Sequence, residues 1–189
     1  MLLLNRQQHR FKRQQGIGII EVLVALLVVS VGVLGVAGLQ LAGLQNSAGS
    51  LNRAKALLLA ENMSTRMRGN PEAIEQGLFQ NFDSNTVSCA ARPDPYCQAS
   101  STGAGDTCTP DQIATFDTQI LSCGDWGGAD ADQGVIGSLP NGQLNITCDV
   151  LPCNSESTYT VGVSWTEGQR ITSDRDDTVV RRVQVRMRP

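Results

Sequence analysis

The chain has 189 residues, enough for one modest domain plus an anchoring segment, and a formal net charge of −3. Only 4% of its residues are aromatic, so a core must be built from Val, Leu and Ile. Residues 69–169 hold thirteen acidic side chains against one base, Arg92. Such a surface binds nucleic acid poorly, because phosphate contacts require basic side chains.

The N-terminal part of the chain is an apolar run that follows a basic leader. The first sixteen residues carry four bases and no acid: Arg6, Arg10, Lys12 and Arg13. Residues 22–39 then contain no charge and one polar side chain, Ser30. As a helix they span about 27 Å, close to the hydrocarbon thickness of a bilayer. The bases before this run predict a cytoplasmic N-terminus and a C-terminal domain on the opposite side of the membrane.

The apolar run opens with Gly16-Ile17-Gly18-Ile19-Ile20-Glu21, and a single carboxylate in such a segment usually marks a function. An ordinary secretion signal has a shorter apolar core and a small-residue cleavage site. A plain signal anchor leaves Glu21 without a role. The stretch resembles the type III signal of prepilins, in which a Gly precedes the cut and a Glu occupies the fifth mature position.

The prepilin resemblance assigns a role to each of three residues. It implies that a prepilin peptidase cuts between Gly16 and Ile17 and methylates the Ile17 amine. It also implies that Glu21 pairs with the freed amine of a neighbouring subunit and sets the register of assembly, since a buried carboxylate needs a positive partner. The alternative for Glu21 is a side chain that reaches back to the membrane interface.

The resemblance continues over residues 11–71 and narrows to the minor pilins of the PilV class, the type IV pilus modification proteins. The segments that carry it are 21–28, 32–40, 57–63 and 66–70. It implies a subunit that primes or modifies pilus assembly at or near the tip and supports twitching motility and adhesion. The implied partners are the peptidase, other minor pilins and the major pilin. The subunit would lie in the inner membrane before assembly and in the extracellular pilus afterwards.

Two other functions remain open at this point. A minor pseudopilin of a type II secretion system shares the signal and the architecture. A secreted disulfide-rich binding protein with an unusual signal is the second alternative. An enzyme is not expected, because the one histidine, His9, lies in the leader and no Gly-rich phosphate loop is present. No catalytic residue, metal site or cofactor is therefore predicted.

Beyond residue 44 the sequence becomes amphipathic. Ala56, Ala60, Met63 and Met67 recur at helical spacing, which favours core packing over a metal or cofactor role for the methionines. Gly69 can cap the helix and Pro71 stops it. The sequence thus predicts a leader over 1–16, one helix with a membrane half over 17–44 and an amphipathic half over 45–68, and a globular domain over 69–189.

The six cysteines all lie in the second half of the chain, and no two form a C-x-x-C pair. Their even number and the preceding apolar segment favour disulfides over zinc ligation. Cys148 and Cys153 flank Leu151-Pro152, which suits a local bridge. The other four would then pair among themselves in an order that the sequence leaves open: Cys89, Cys97, Cys108 and Cys123.

In the rest of the domain the sequence predicts little helix and a sheet formed by its C-terminal part. A short helix is expected over 72–82, followed by loops over 83–142 because Gly, Ser, Thr, Asp and Pro dominate there. Three alternating segments, 144–150, 159–165 and 179–187, predict an antiparallel meander with one face on the helix. Arg181 interrupts the apolar face of the last strand, which predicts either an imperfect start of that strand or an edge position. The fold class is therefore α+β and pilin-like, with disulfide-linked loops.

Three groups of charged residues in the C-terminal domain have two interpretations each. The arginines of the last strand form either a solvated face or a contact face for an acidic partner subunit. Two acidic groups suit solvated turns better than calcium, because neither has the full loop motif. These groups are Asp125, Asp130 and Asp132, then Asp174, Asp176 and Asp177.

Overall fold

The computed structural model describes residues 18–98, 105–124, 134–169 and 177–189, and the chain divides into two compact units, residues 1–46 and 47–189. The first element, α1 (Ile19–Arg68), begins in the first unit and ends in the second. It is one continuous helix and ends at Arg68, as the sequence predicts. Its end is closed by the Gly69 N–H, which donates to the Thr65 carbonyl at 3.1 Å.

The C-terminal part of α1 forms one wall of the core of the second unit. Ala56, Ala60, Met63 and Met67 are fully buried there, at the spacing that places them on one helical face. Two alanines allow close approach of the packed elements, and the flexible methionines fill the remaining space. The predicted packing role of the methionines is confirmed.

Next along the chain comes α2 (Pro71–Glu75), which begins directly after the end of α1. The side chain of Asn70 caps it by accepting a hydrogen bond from the Ala73 N–H at 3.3 Å. The Asn70 amide also donates to the Pro110 carbonyl at 2.7 Å. The predicted short helix is present, although it ends at Glu75 instead of extending to residue 82.

A four-stranded antiparallel sheet provides the second wall of the core. Its order is β1 (Phe82–Asp83), β2 (Gln143–Cys148), β3 (Tyr159–Gln169) and β4 (Asp177–Met187). Four alternating residues of β3 face the core and are buried, as their alternation predicts: Tyr159, Val161, Val163 and Trp165. The predicted meander of β2, β3 and β4 is confirmed. The structure adds the two-residue β1, and it leaves Val150 outside β2 and exposed.

The expectation of loops throughout residues 83–142 is wrong, because α3 (Pro110–Cys123) lies within that range. Thr109 and Gln112 form a capping box, with hydrogen bonds of 2.9 Å and 3.4 Å between each backbone N–H and the other side chain. Pro110 occupies the first turn, where its missing N–H has no cost. A short 3₁₀ turn (Ser84–Thr86) and α4 (Val135–Ser138) are also present.

Three disulfides hold the loops of this unit. Cys148 joins Cys153 beside the end of β2, which is the local bridge suggested by the sequence. The remaining four cysteines pair among themselves, as Cys89–Cys123 and Cys97–Cys108. The first of these two ties a loop to the last residue of α3. The architecture is therefore α+β, with a long helix packed on an antiparallel sheet and disulfide-linked loops, as predicted.

Arg66 and Asp117 form an ion pair between α1 and α3, with 2.6 Å between Nη1 and Oδ1. The Asp117 side chain is only 8% exposed. Burial is the largest influence on its pKa and raises it above the ordinary value, while the hydrogen bond and charge of Arg66 act in the opposite direction. This pair therefore orients the two helices at some electrostatic cost.

Candidate functional site

The described part of the first unit, residues 18–46, is here named the apolar segment. Every residue in it is exposed, and its large side chains range from 46% exposed at Leu41 to 83% at Ile19. Aliphatic surface on this scale marks contact with a membrane or another protein. By length and composition, α1 is the one helix among the described residues that could cross a membrane.

Glu21 is the only charged residue of the apolar segment and lies in the first turn of α1. Its backbone N–H donates to the Gly18 carbonyl at 3.0 Å. A carboxylate suits the N-terminal end of a helix, where backbone N–H groups carry partial positive charge. Within the described ranges, no ion pair joins Glu21 to a cation. In an apolar environment its charge would need a partner from another molecule.

Several residues singled out in the sequence lie outside the described ranges. They are the predicted cleavage and methylation residues Gly16 and Ile17, the leader residue His9, and the acidic residues Asp125, Asp130, Asp132, Asp174 and Asp176. Asp177 opens β4, but its side chain is also outside the description. Among the residues that are described, no three His, Cys, Asp or Glu side chains cluster as metal ligands would.

Comparison with protein families covers both the apolar segment and part of the core. The family model described as type IV pilin Tt1218 matches residues 38–119. The prokaryotic N-terminal methylation motif matches residues 11–37, which include Gly16, Ile17 and Glu21. Together they cover residues 11–119 and show that this part of the chain is similar to type IV pilins. No curated protein and no solved structure matches the chain.

The two matches meet inside α1, between residues 37 and 38. The methylation motif contains residues 11–16 of the leader and residues 18–37 of the apolar segment. The pilin match begins at Gly38 and reaches Gln119 in α3, so it includes the buried end of α1. The resemblance to prepilins noted in the sequence is thus supported at the level of type IV pilins, which are structural subunits.

The structure also shows a polar cluster that the sequence did not reveal. Trp165 Nε1 donates to Glu167 Oε1 at 2.8 Å, and Arg181 Nε donates to Glu167 Oε2 at 3.2 Å. Trp165 and Glu167 share one face of β3, and Arg181 lies directly opposite Trp165 on β4. Glu167 therefore binds Arg181, the arginine that interrupts the apolar face of β4. β4 lies at the edge of the described sheet, which is one of the two alternatives that Arg181 predicted.

Proposed function

We propose that this pilin is a minor subunit of a type IV pilus, of the PilV class, that primes or modifies fibre assembly at or near the tip. The observation that carries the proposal is Glu21, a single carboxylate in a wholly exposed apolar segment. The methylation motif over residues 11–37 supports processing by a prepilin peptidase. The resemblance of residues 11–71 supports the minor class.

The proposed sequence of events starts in the inner membrane, with the N-terminus cytoplasmic and residues 69–189 periplasmic. The peptidase cleaves between Gly16 and Ile17 and methylates the new amine, which stays basic. Lipid covers the apolar segment until neighbouring pilin helices replace it in the extracellular fibre. Glu21 then pairs with the Ile17 amine of an adjacent subunit, because an unpaired carboxylate in that bundle would be costly. The pairing fixes the axial position of the incoming subunit and supports twitching motility and adhesion.

Mass spectrometry of the mature N-terminus tests the processing step. The expected product begins at N-methyl-Ile17 and is recovered from both the inner membrane and sheared fibres. A product that begins near residue 45 would instead indicate an ordinary secreted protein and would overturn the proposal. The same measurement in a strain without the peptidase serves as the control, because there the leader should remain.

A deletion strain separates the pilus from a type II secretion pseudopilus, which shares the signal and the architecture. Loss of twitching and of surface pili, with secretion intact, is expected for a pilus subunit. Loss of secretion with normal pili would assign the chain to the secretion system. Re-expression of the full chain should restore the affected phenotype in either case.

A further inference from the structure

The free edge of β4 is the longest strand edge without a partner among the described strands. β4 has eleven residues and, among the described strands, pairs only with β3, over the full length from Asp177 to Met187. In an antiparallel pair, every second residue directs its N–H and C=O away from the neighbouring strand. β4 thus offers a row of backbone donors and acceptors to a further strand.

The outer face of β4 is cationic. Arg182 and Arg186 are exposed on this face and lie opposite Ser164 and Thr160 of β3. Neither arginine forms an ion pair with a carboxylate in the described ranges. This distinguishes them from Arg181, which lies on the inner face and is held by Glu167. Two outer arginines four residues apart are thus available to a partner.

The inner face of the same strand is apolar and incompletely covered. Val183 and Val185 pack against the core but remain half-buried. Side chains directly opposite each other on adjacent strands lie about 4.5–5.5 Å apart at Cβ. A fifth strand with apolar residues at the matching positions would cover these two valines. The edge therefore presents cationic and apolar positions in alternation over residues 182–186.

We infer that the β4 edge binds an extended acidic segment of a neighbouring subunit, which adds to the sheet as a fifth strand. The subunit as partner rests on the proposed function, whereas the chemistry of the segment follows from β4 alone. Acidic residues lie opposite Arg182 and Arg186, and apolar residues lie opposite Val183 and Val185. The partner segment has the pattern acidic, apolar, polar, apolar, acidic, which reads the same in either strand direction.

The charges on β4 also select against other occupants. Pairing two β4 strands in register would bring arginines of two copies together, and like charges on adjacent strands destabilise pairing. A DNA backbone requires a broad basic surface, whereas residues 69–169 carry thirteen acids and one base. An acidic strand gains both ion pairs and backbone hydrogen bonds, so it fits the edge best.

Binding of a labelled peptide to the full-length protein in detergent micelles tests the inference. The probe peptide has the core Glu-Val-Thr-Val-Glu, and fluorescence anisotropy reports its affinity at increasing salt. A neutral control has the core Gln-Val-Thr-Val-Gln. A register control has the core Val-Glu-Thr-Glu-Val, which directs its charges to the other face of the strand. Only the probe should bind tightly, and salt should weaken it because its ion pairs are exposed.

Two double variants test whether binding of the probe peptide depends on the β4 arginines or on any positive charge of the protein. The double variant Arg182→Gln with Arg186→Gln should bind the probe peptide about tenfold more weakly, because two cross-strand charge pairs are lost. Arg53→Gln with Lys55→Gln removes two exposed bases of α1 and should leave the affinity unchanged. Hydrogen exchange of the free variants should show that β3 and β4 remain paired. In the complex, every second amide of β4 should gain protection.

The inference is overturned if the three peptides bind equally, if none binds, or if β4 amides gain no protection. It is also overturned if a DNA duplex binds through Arg182 and Arg186 while the probe does not, or if a second copy of the chain occupies the edge. These outcomes leave leader cleavage and fibre incorporation untouched. Failure of the edge inference is therefore distinguishable from failure of the proposed function.

Discussion

The apolar segment exposes its apolar side chains, whereas the second unit, residues 47–189, buries many of its own in a core. In residues 18–46, every side chain is exposed and only Glu21 is charged. In residues 47–189, α1, α3 and the sheet share one core, and three disulfides hold its loops. The second unit buries apolar surface in its own core, whereas the apolar segment requires a membrane or other subunits to cover its apolar surface. Changes in the two units should therefore affect different measurements.

The largest effect is expected from Glu21→Val, which should block fibre assembly without unfolding the domain. Cleavage should proceed, while the amount of the chain in sheared fibres should fall at least about tenfold, because the amine of the neighbour loses its buried partner. Immunoblots of the sheared and membrane fractions measure this. Ser30→Val, in the same segment, is the matched control and should assemble normally. Wild-type amounts of the Glu21→Val chain in fibres would reject the register role.

The disulfides should stabilise only the second unit. A disulfide that closes a longer loop should contribute more to the free energy of unfolding. Loop-closure entropy predicts a loss of about 4 kcal/mol for Cys89→Ser with Cys123→Ser, and about 2 kcal/mol for Cys148→Ser with Cys153→Ser. The sequence separations behind this order are 34 and 5 residues. Chemical denaturation of the full chain in micelles measures both losses. Equal losses would contradict the loop-length argument.

A matched pair of truncations compares the two units directly. Met63→Ala should cost about 3 kcal/mol in the unfolding of the second unit, since it leaves a cavity in a close-packed core. Leu27→Ala, at a residue 64% exposed in the apolar segment, should leave that unfolding unchanged. Denaturation followed by Trp fluorescence reports on the two tryptophans, Trp126 and Trp165, of which Trp165 lies in the core. An equal effect of the two truncations would show that the apolar segment is part of the cooperative unit.

The smallest effect is a pH dependence that belongs to Asp117. Because burial raises its pKa above the ordinary value of 3.8, the folded state holds this proton more tightly than the unfolded state. The contribution of Asp117 to stability is therefore present at low pH and declines as the pH rises from about 4 through the raised pKa. Denaturation midpoints of wild type should fall relative to Asp117→Asn over that range. A relative rise would contradict the sign.

Local patterns in the sequence predicted most of the elements. The helical spacing of Ala56 to Met67 and the alternation in β3 both correspond to buried faces in the structure. α3 was missed because polar and small residues dominate the surrounding 60 residues and hide its capping box at Thr109 and Gln112. β1 was missed because two residues, Phe82 and Asp83, are too few to show an alternation.

The candidate site was predicted in part. Glu21 could be singled out because one charge in an apolar run is visible in the sequence alone. The Glu167 cluster could not, because it depends on which residue of β4 lies opposite Trp165. That register is set by the pairing of whole strands, and a slip of one residue would move Arg181 to the other face.

The properties that belong to short stretches of chain can be inferred from the residues of those stretches. These include the apolar segment with Glu21, the amphipathic end of α1 and the alternating strands, because periodicity and charge are local. Contacts between distant groups became visible in the folded chain: Cys89 with Cys123, Arg66 with Asp117, and β4 at the edge of the described sheet. Such contacts depend on the packing of all the elements together. No single segment contains the information that fixes them.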